Sequence, residues 1–368
     1  MLVGKNLQEL AKELEHIRDT ARDFIVPTKQ LKAVAKEQVV TLNFDNKAFQ
    51  LNDHSSNQVA GRTKIPQQYF QKLALENPGL LADNINHGFR NMEDRQFQNK
   101  ERIAANMVRT VEQAGVQVVR GFMSDRFRAL DNHELFESVF PTFKKHGLQV
   151  VSSEITQYRM YIKVLSPNLK SKIKDVNDIV QYGLVISNSD VGAGSVRVEP
   201  LIYRLVCKNG MITNTAMRKY HVGRSQSEEE AYELFTEKTR NMDNKAFWAK
   251  VKDLVEGSLR PENFEKEVDR FRLAANQKII SKDAEKVVEV TMKTIGLSGE
   301  DKKKSILSAL ATGNEGAGYT KYGLVNSFTR VAHEDSTLDY EGSIQMERAA
   351  GEIMALTEKQ WERIANVA

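Results

Sequence analysis

One stretch constrains the fold more than any other. From Tyr182 to Gly210 the chain reads YGLVISNSDVGAGSVRVEPLIYRLVCKNG, two apolar, β-branched runs on either side of a Ser-Asn-Ser-Asp-Val-Gly-Ala-Gly turn. β-Branched runs bounded by turn residues predict paired strands, and the glycines Gly192 and Gly194 supply the positive φ angles that such a connection needs. A rigid sheet is therefore expected to present polar groups at its end, among them Ser187, Asn188 and Asp190.

The rest of the chain surrounds this sheet with helix. Leu7, Leu10, Leu14 and Ile17 form one apolar stripe on a charged opening helix, suited to packing on a neighbour or a second subunit. Gln38–Phe44 and Ala48–Leu51 alternate as short strands. Asn52–Leu73 reads as helix, tight turn and helix, with Asn52 or Asp53 as cap and Pro66 at the first turn of the second helix. In this hairpin Val59 and Ala60 should pack on Ile65 and Tyr69, leaving Gln67, Gln68 and Gln71 outward as on a DNA-reading helix. Lys64 occupies the turn position that usually favours glycine.

Ala82–Thr110 reads as interrupted helix, Gln117 onward as a strand turning at Ser124-Asp125, and Asn132–Lys145 as helix. Strands follow at Gln149–Ile155 and Tyr158–Leu165, and the sheet is expected to return through Arg218 to Val222 with few covering helices. Beyond Ser225 the patterns are helical, broken at Gly257–Pro261, at Gly296–Gly299 and in the glycine-rich loop Thr312–Tyr319, with last helices at Tyr322–Glu334 and Gln345–Thr357. The fold class is α+β. Residues 1–115 form a mainly helical region holding the helix-turn-helix-like hairpin, 116–225 a central, mostly antiparallel sheet, and 226–368 a helical C-terminal region.

Composition narrows the function. The 368 residues, 40% hydrophobic and 28% charged, contain no apolar run of the about 18 residues that a membrane crossing requires. The opening MLVGKNLQELAKELEHIRD lacks a signal-peptide core, so a cytoplasmic protein is expected. A single cysteine, Cys207, allows no internal disulfide and no thiolate zinc cluster. Asp125, His133, Asp190, Glu199 and His221 are scattered without ligand spacing, and neither Gly-rich loop is a Walker or dinucleotide motif. No metal or cofactor is expected.

Charge is uneven. Between Tyr158 and Arg224 eleven Lys and Arg face four Asp and Glu, although the whole chain carries only +4. Basic and aromatic residues interleave at Tyr158-Arg159-Met160-Tyr161-Ile162-Lys163, at Tyr203-Arg204 and at Met217–His221. Single-strand binders use that combination, cations tracking phosphate while rings stack on bases. By strand alternation Arg159, Tyr161 and Lys163 share one face, a nucleotide platform completed by Arg204, Arg218, Lys219 and Arg224. The competing explanation is a solvated sheet face. An enzyme could instead use Cys207 as nucleophile and His221 as base with Asn188 or Asn209 as orienting group, against which Leu205-Val206-Cys207 reads as a strand with a core thiol. No residue is assigned as catalytic.

Five blocks in order, Val119–Asn132, Ser187–Gly192, Arg204–Gly210, His221–Gly223 and Tyr322–Arg330, resemble an uncharacterised phage- and plasmid-like protein family built on a domain of unknown function. The resemblance runs from about Leu51 to Ile353. Phe127, Asp190 and Ser327 stand where that family usually has tyrosine, glutamate and alanine. It implies carriage by mobile elements. With the basic sheet this gives a DNA-binding protein, a single-strand annealing or recombination factor that forms homo-oligomers; the other readings are a module acting on a host protein and an enzyme centred on Cys207 and His221.

Overall fold

The computed structural model describes residues 4–92, 95–97, 100–205, 209–213, 236–312 and 318–367. Among them two main sheets, one mixed and one antiparallel, are packed with helices in an α+β arrangement. No helix among the described residues is long and apolar enough to cross a membrane.

The first sheet lies largely in the region where the sequence suggested mainly helix. Helix α1 (Leu7–Thr20) is followed by β1 (Arg22–Pro27), β2 (Lys32–Lys36), β3 (Val39–Phe44) and β4 (Lys47–Leu51). After α2 (Asp53–Thr63), α3 (Gln67–Glu76) and α4 (Pro78–Arg90) come a small hairpin, β5 (Arg95–Phe97) and β6 (Lys100–Arg102), then β7 (Ala105–Gln113) and β8 (Val116–Ser124). The order β1-β7-β8-β4-β3-β2 is antiparallel except where β4 runs parallel to β8. The tight turns at Glu37-Gln38, Asp45-Asn46 and Ala114-Gly115 all have positive φ at both residues. Hairpins favour that geometry because its twist matches the strands, but Glu-Gln lacks the Asn-Gly signature, so β2 was not legible. The Ala82–Thr110 helix likewise ends at Arg90, and β5, β6 and the start of β7 lie in the rest of that stretch. The β7–β8 turn spans position 116, so this sheet draws strands from both sides of that expected boundary.

Helices α2 and α3 form the expected hairpin around Lys64 (φ +58°), with Asn52 capping α2. Phe70 rather than Tyr69 packs inward, and Gln67, Gln68 and Gln71 are exposed. The stripe of α1 is used within the chain: Leu10 and Leu14 are buried in the main core. No second subunit is needed to cover it.

The second sheet follows α5 (Asn132–His146): β9 (Gln149–Ile155), β10 (Met160–Ile173), β11 (Asp178–Asn188), β12 (Arg197–Arg204) and β13 (Asn209–Ile212), in the order β13-β12-β11-β10-β9. Met160, Ile162, Val164, Tyr182, Leu184, Ile186, Val198 and Ile202 join one apolar core with α5, α6 (Glu237–Ser258), α7 (Pro261–Asn276) and α8 (Ala284–Thr294). Then come α9 (Glu300–Ala311), α10 (Lys321–Glu334), α11 (Tyr340–Met354) and α12 (Glu358–Ala365). Tyr340 and Ile344 of α11 bury Tyr161, Leu165, Val185, Leu201 and Ile212 on the opposite face. Both faces are covered, contrary to the expectation of few covering helices. Strands buried on two sides read as nearly continuous apolar runs, which is the pattern of Tyr182–Ile186.

Helix α11 lies unusually close to β13. A Cβ on Gly351 would stand 1.9 Å from the carbonyl oxygen of Ile212. Gly351→Ala is therefore expected to cost about 1–3 kcal/mol by forcing the helix off the sheet. Gly257→Ala in α6, where a Cβ would meet nothing within 4 Å, should be neutral or stabilising. Urea unfolding of both variants checks the contrast, and equal effects would contradict the close approach.

Candidate functional site

The Ser187–Gly194 turn is where the two sheets meet. Asn188 ends β11 and its Nδ2 donates to Leu130 O (2.7 Å) and Asn132 Oδ1 (2.9 Å), sewing the start of α5 to the strand. Within the turn Ser189 Oγ accepts from the Ala193 amide at 2.7 Å. From the first half of the molecule, His54 Nε2 and Gln58 Nε2 both donate to Val191 O at 2.8 Å, and Gln58 Oε1 accepts from the Phe122 amide at 2.7 Å. Gly192 has φ +83°, and a Cβ there would press within 3.2 Å of Met123 Cγ on β8. A side chain would both strain the turn and lift it off the first sheet.

Beside this turn lies a charged cleft of about 270 Å³, lined by Leu14, Ile17, Arg18 and Arg22 from α1 and its end, Arg109 (β7), Arg120 (β8), Asp131 to His133 (start of α5) and Asp190, among others. Arg109 is 3% exposed. Its three nitrogens donate to Asp23 Oδ1 (2.8 Å), Asp131 Oδ1 (2.5 Å) and Asp190 O (2.6 Å). Burial works against its charge, but the neighbouring carboxylates hold it protonated, with its pKa raised. Burial likewise opposes ionisation of Asp131, yet Arg109 holds that carboxyl below the usual range. Arg120 Nη1 donates to Asp190 Oδ2 at 2.8 Å, while its buried Nε has no hydrogen-bond partner. Asp131 thus serves Arg109, and Arg128 reaches across to Asp243 and Asn244 of α6 at 2.8 Å.

The basic platform is placed differently from the sequence reading. Arg159, Tyr161, Lys163 and Arg204 are all buried. Lys163 Nζ pairs with Glu347 Oε1 at 2.7 Å, and Tyr161 Oη donates to Glu341 Oε2 at 2.6 Å, both partners on α11. Beside them Arg348 grips Glu199 with Nη2···Oε2 at 2.6 Å and Nε···Oε1 at 3.1 Å. Arg159 donates to Ser195 O and Ser187 Oγ, and Arg204 to Asp178, which also accepts from Tyr322 at 2.6 Å. Lys163 and Arg348 hold α11 to the sheet, and Arg159 and Arg204 tie its strands and turns together, instead of facing solvent. Asn209 Nδ2 donates to Thr329 at 2.9 Å, at the end of the sheet opposite Asn188, so the two asparagines do not share a site. Cys207, Arg218, Lys219, His221 and Arg224 lie outside the described residues. Among the described residues no cluster of three or more His, Cys, Asp or Glu could hold a metal.

Three cations of the same stretch remain at the surface. Lys170 and Lys172 on β10 and Lys174 just after it are exposed and have no ion-pair partner among the described residues. Strand β9 pairs with β10 only as far as Leu165, so this end of β10 is an open edge. Arg109 and Arg120 were the residues that sequence reasoning missed as site members. Their only local signal was an arginine amid apolar strand residues, as in Val118-Val119-Arg120.

Arg109→Met would leave Asp23, Asp131 and the Asp190 carbonyl without their donor, and is expected to cost about 3–5 kcal/mol at neutral pH. Because Asp131 is held below its ordinary 3.8, the stabilisation it gives is present above that value and lost as pH falls through the lower folded-state value. The deficit of the variant should accordingly shrink below about pH 4. Urea unfolding at pH 7 and near pH 3 measures it, and a deficit independent of pH would exclude the ionic account.

The geometry can be set beside known proteins. A family model, Domain of unknown function (DUF932), matches residues 119–350, from β8 through most of α11. No curated protein and no solved structure matches the chain. The matched span takes in Arg120, the start of α5, the whole second sheet with the Ser187–Gly194 turn, and the polar layer beneath α11, and the chain belongs to the DUF932 family.

Proposed function

We propose that this protein binds a single nucleic-acid strand through its phosphates, the DNA-binding role of a mobile-element annealing or recombination factor working in the cytoplasm. The observation that supports this reading is the row formed by Lys170, Lys172 and Lys174, exposed and without ion-pair partners among the described residues, at an open strand edge. Alternate strand residues stand about 6.8 Å apart, so successive lysines can meet successive phosphates of an extended strand. Exposed Ile179, the cross-strand partner of Lys172, adds an apolar surface beside them. Arg159, Tyr161, Lys163 and Arg204 take no direct part in this reading, because they are sequestered under α11 and at the sheet's edge. Arg218, Lys219 and Arg224 follow β13 in the chain and add to the same basic character.

The test is fluorescence anisotropy of labelled single- and double-stranded oligonucleotides across a salt series. The combined Lys170→Ala, Lys172→Ala, Lys174→Ala protein should bind more weakly and lose about 2 from the slope of log affinity against log salt, at about 0.7 per phosphate contact. An Arg218→Ala, Lys219→Ala protein measured alongside reports the contribution of the later segment. Binding that is absent, insensitive to salt or unchanged in the triple variant would reject the proposal. A clear preference for duplex would move the contact to Gln67, Gln68 and Gln71 on α3.

A further inference from the structure

The open edge of β10 offers backbone as well as charge. Ile179 O accepts from the Leu205 amide at 3.0 Å, so the backbone groups of Ile179 face β12. Along an antiparallel ladder the N–H and C=O of one residue point to the same side, and the side alternates from residue to residue. Lys172, paired with Ile179, and Lys170, paired with Gln181, therefore turn their N–H and C=O away from β11. The neighbour on that side is β9, whose pairing with β10 stops at Leu165. No hydrogen bond within the described residues takes up the amide or the carbonyl of either lysine.

Such an edge is a template for another strand, which would lie about 4.8 Å away and take both free pairs of backbone groups. Charge selects the strand. Lys170 and Lys172 stand on one face of β10 and are exposed, while Ile173 turns to the other face and into the main core. An incoming strand meets a cation at every second position, so the pattern that fits is an acidic residue at alternate positions. A second copy of this edge would set lysine against lysine, which cross-strand pairing penalises. We infer that the open edge of β10 binds an extended acidic segment of a protein partner by strand addition, with Lys170 and Lys172 opposite its carboxylates. The regulatory consequence rests on the nucleic-acid reading of the same lysines: an acidic strand and a nucleic-acid strand exclude each other. Strand addition itself stands apart from that reading, because phosphate needs only the side-chain charge and a β-strand needs the backbone too.

The test is fluorescence anisotropy of short labelled peptides with the intact protein, alone and in competition with a single-stranded oligonucleotide. A peptide alternating glutamate and valine is expected to bind saturably and to displace the oligonucleotide. One alternating glutamate and proline has the same charge but lacks every second amide donor, and should bind about tenfold more weakly, the scale of two lost backbone hydrogen bonds. A peptide alternating lysine and valine should not bind. Lys172→Pro and Lys172→Ala separate backbone from charge, because both remove the cation and only proline removes the outward amide, which β11 does not use. The proline variant should bind the glutamate–valine peptide about fivefold more weakly than the alanine variant, while the two bind the oligonucleotide alike. In the unsubstituted protein, hydrogen exchange at the Lys170 and Lys172 amides should slow when the peptide is added. Equal binding of the two glutamate peptides, or exchange unchanged at both lysines, would overturn the inference and leave the nucleic-acid reading standing. Peptide binding with no oligonucleotide binding would support strand addition and reject that reading. Dimerisation lost in Lys172→Pro would place a second copy on the edge and equally overturn the inference.

Discussion

The bond on which the architecture turns is the one between Arg109 and the Ser187–Gly194 turn. A guanidinium that is 3% exposed can remain charged only if its lost hydration is replaced, and here two carboxylates and one carbonyl replace it. Those acceptors come from β1, from the start of α5 and from the end of β11. One side chain of the first sheet therefore fixes the second sheet and the helix that leads into it. Arg120 repeats the device on the neighbouring strand through Asp190, and Gln58 ties the same turn to the backbone of β8. Removing any one acceptor leaves a buried charge partly bare, so the junction forms as a unit.

The second sheet has chemically different faces. One is apolar and supplies the main core. The other carries Arg159, Tyr161, Lys163, Glu199 and Tyr203, and is closed by a helix bearing Glu341, Glu347 and Arg348. Buried ion pairs add little net stability because desolvation offsets their attraction, but a misplaced helix would strand several charges at once. The polar layer thus selects one docking register for α11. A missing side chain does the rest: Gly351 lets the helix backbone approach Ile212.

This division explains what the sequence reading of function got from charge and what it could not. Eleven basic residues in the central stretch are visible by inspection, and their partners are not. Lys163 and Glu347 are 184 positions apart, and Arg109 and the Asp190 carbonyl 81. A cation in an alternating strand looks the same whether solvent or a helix covers it. Among the described residues, Lys170, Lys172 and Lys174, beyond the last β9 pairing, stay in the water where alternation alone would place them. Arg109 and Arg120 escaped notice for the opposite reason, since each sits in a strand that is mostly apolar and reads as core.

The sequence by itself determined the elements whose information is local. The strand–turn–strand around Asn188, the hairpin of α2 and α3 with its Asn52 cap, and the helical C-terminal half follow from periodicity, capping residues and glycines needing positive φ. The hairpins of the first sheet were less legible, because Glu37-Gln38 adopts a positive-φ turn that neighbouring strands impose rather than one its own residues prefer. Tertiary structure alone decided which faces are covered, which charges are neutralised and which donors are left over. Those properties depend on the free energy of bringing distant groups out of water together, and no short window of residues contains it.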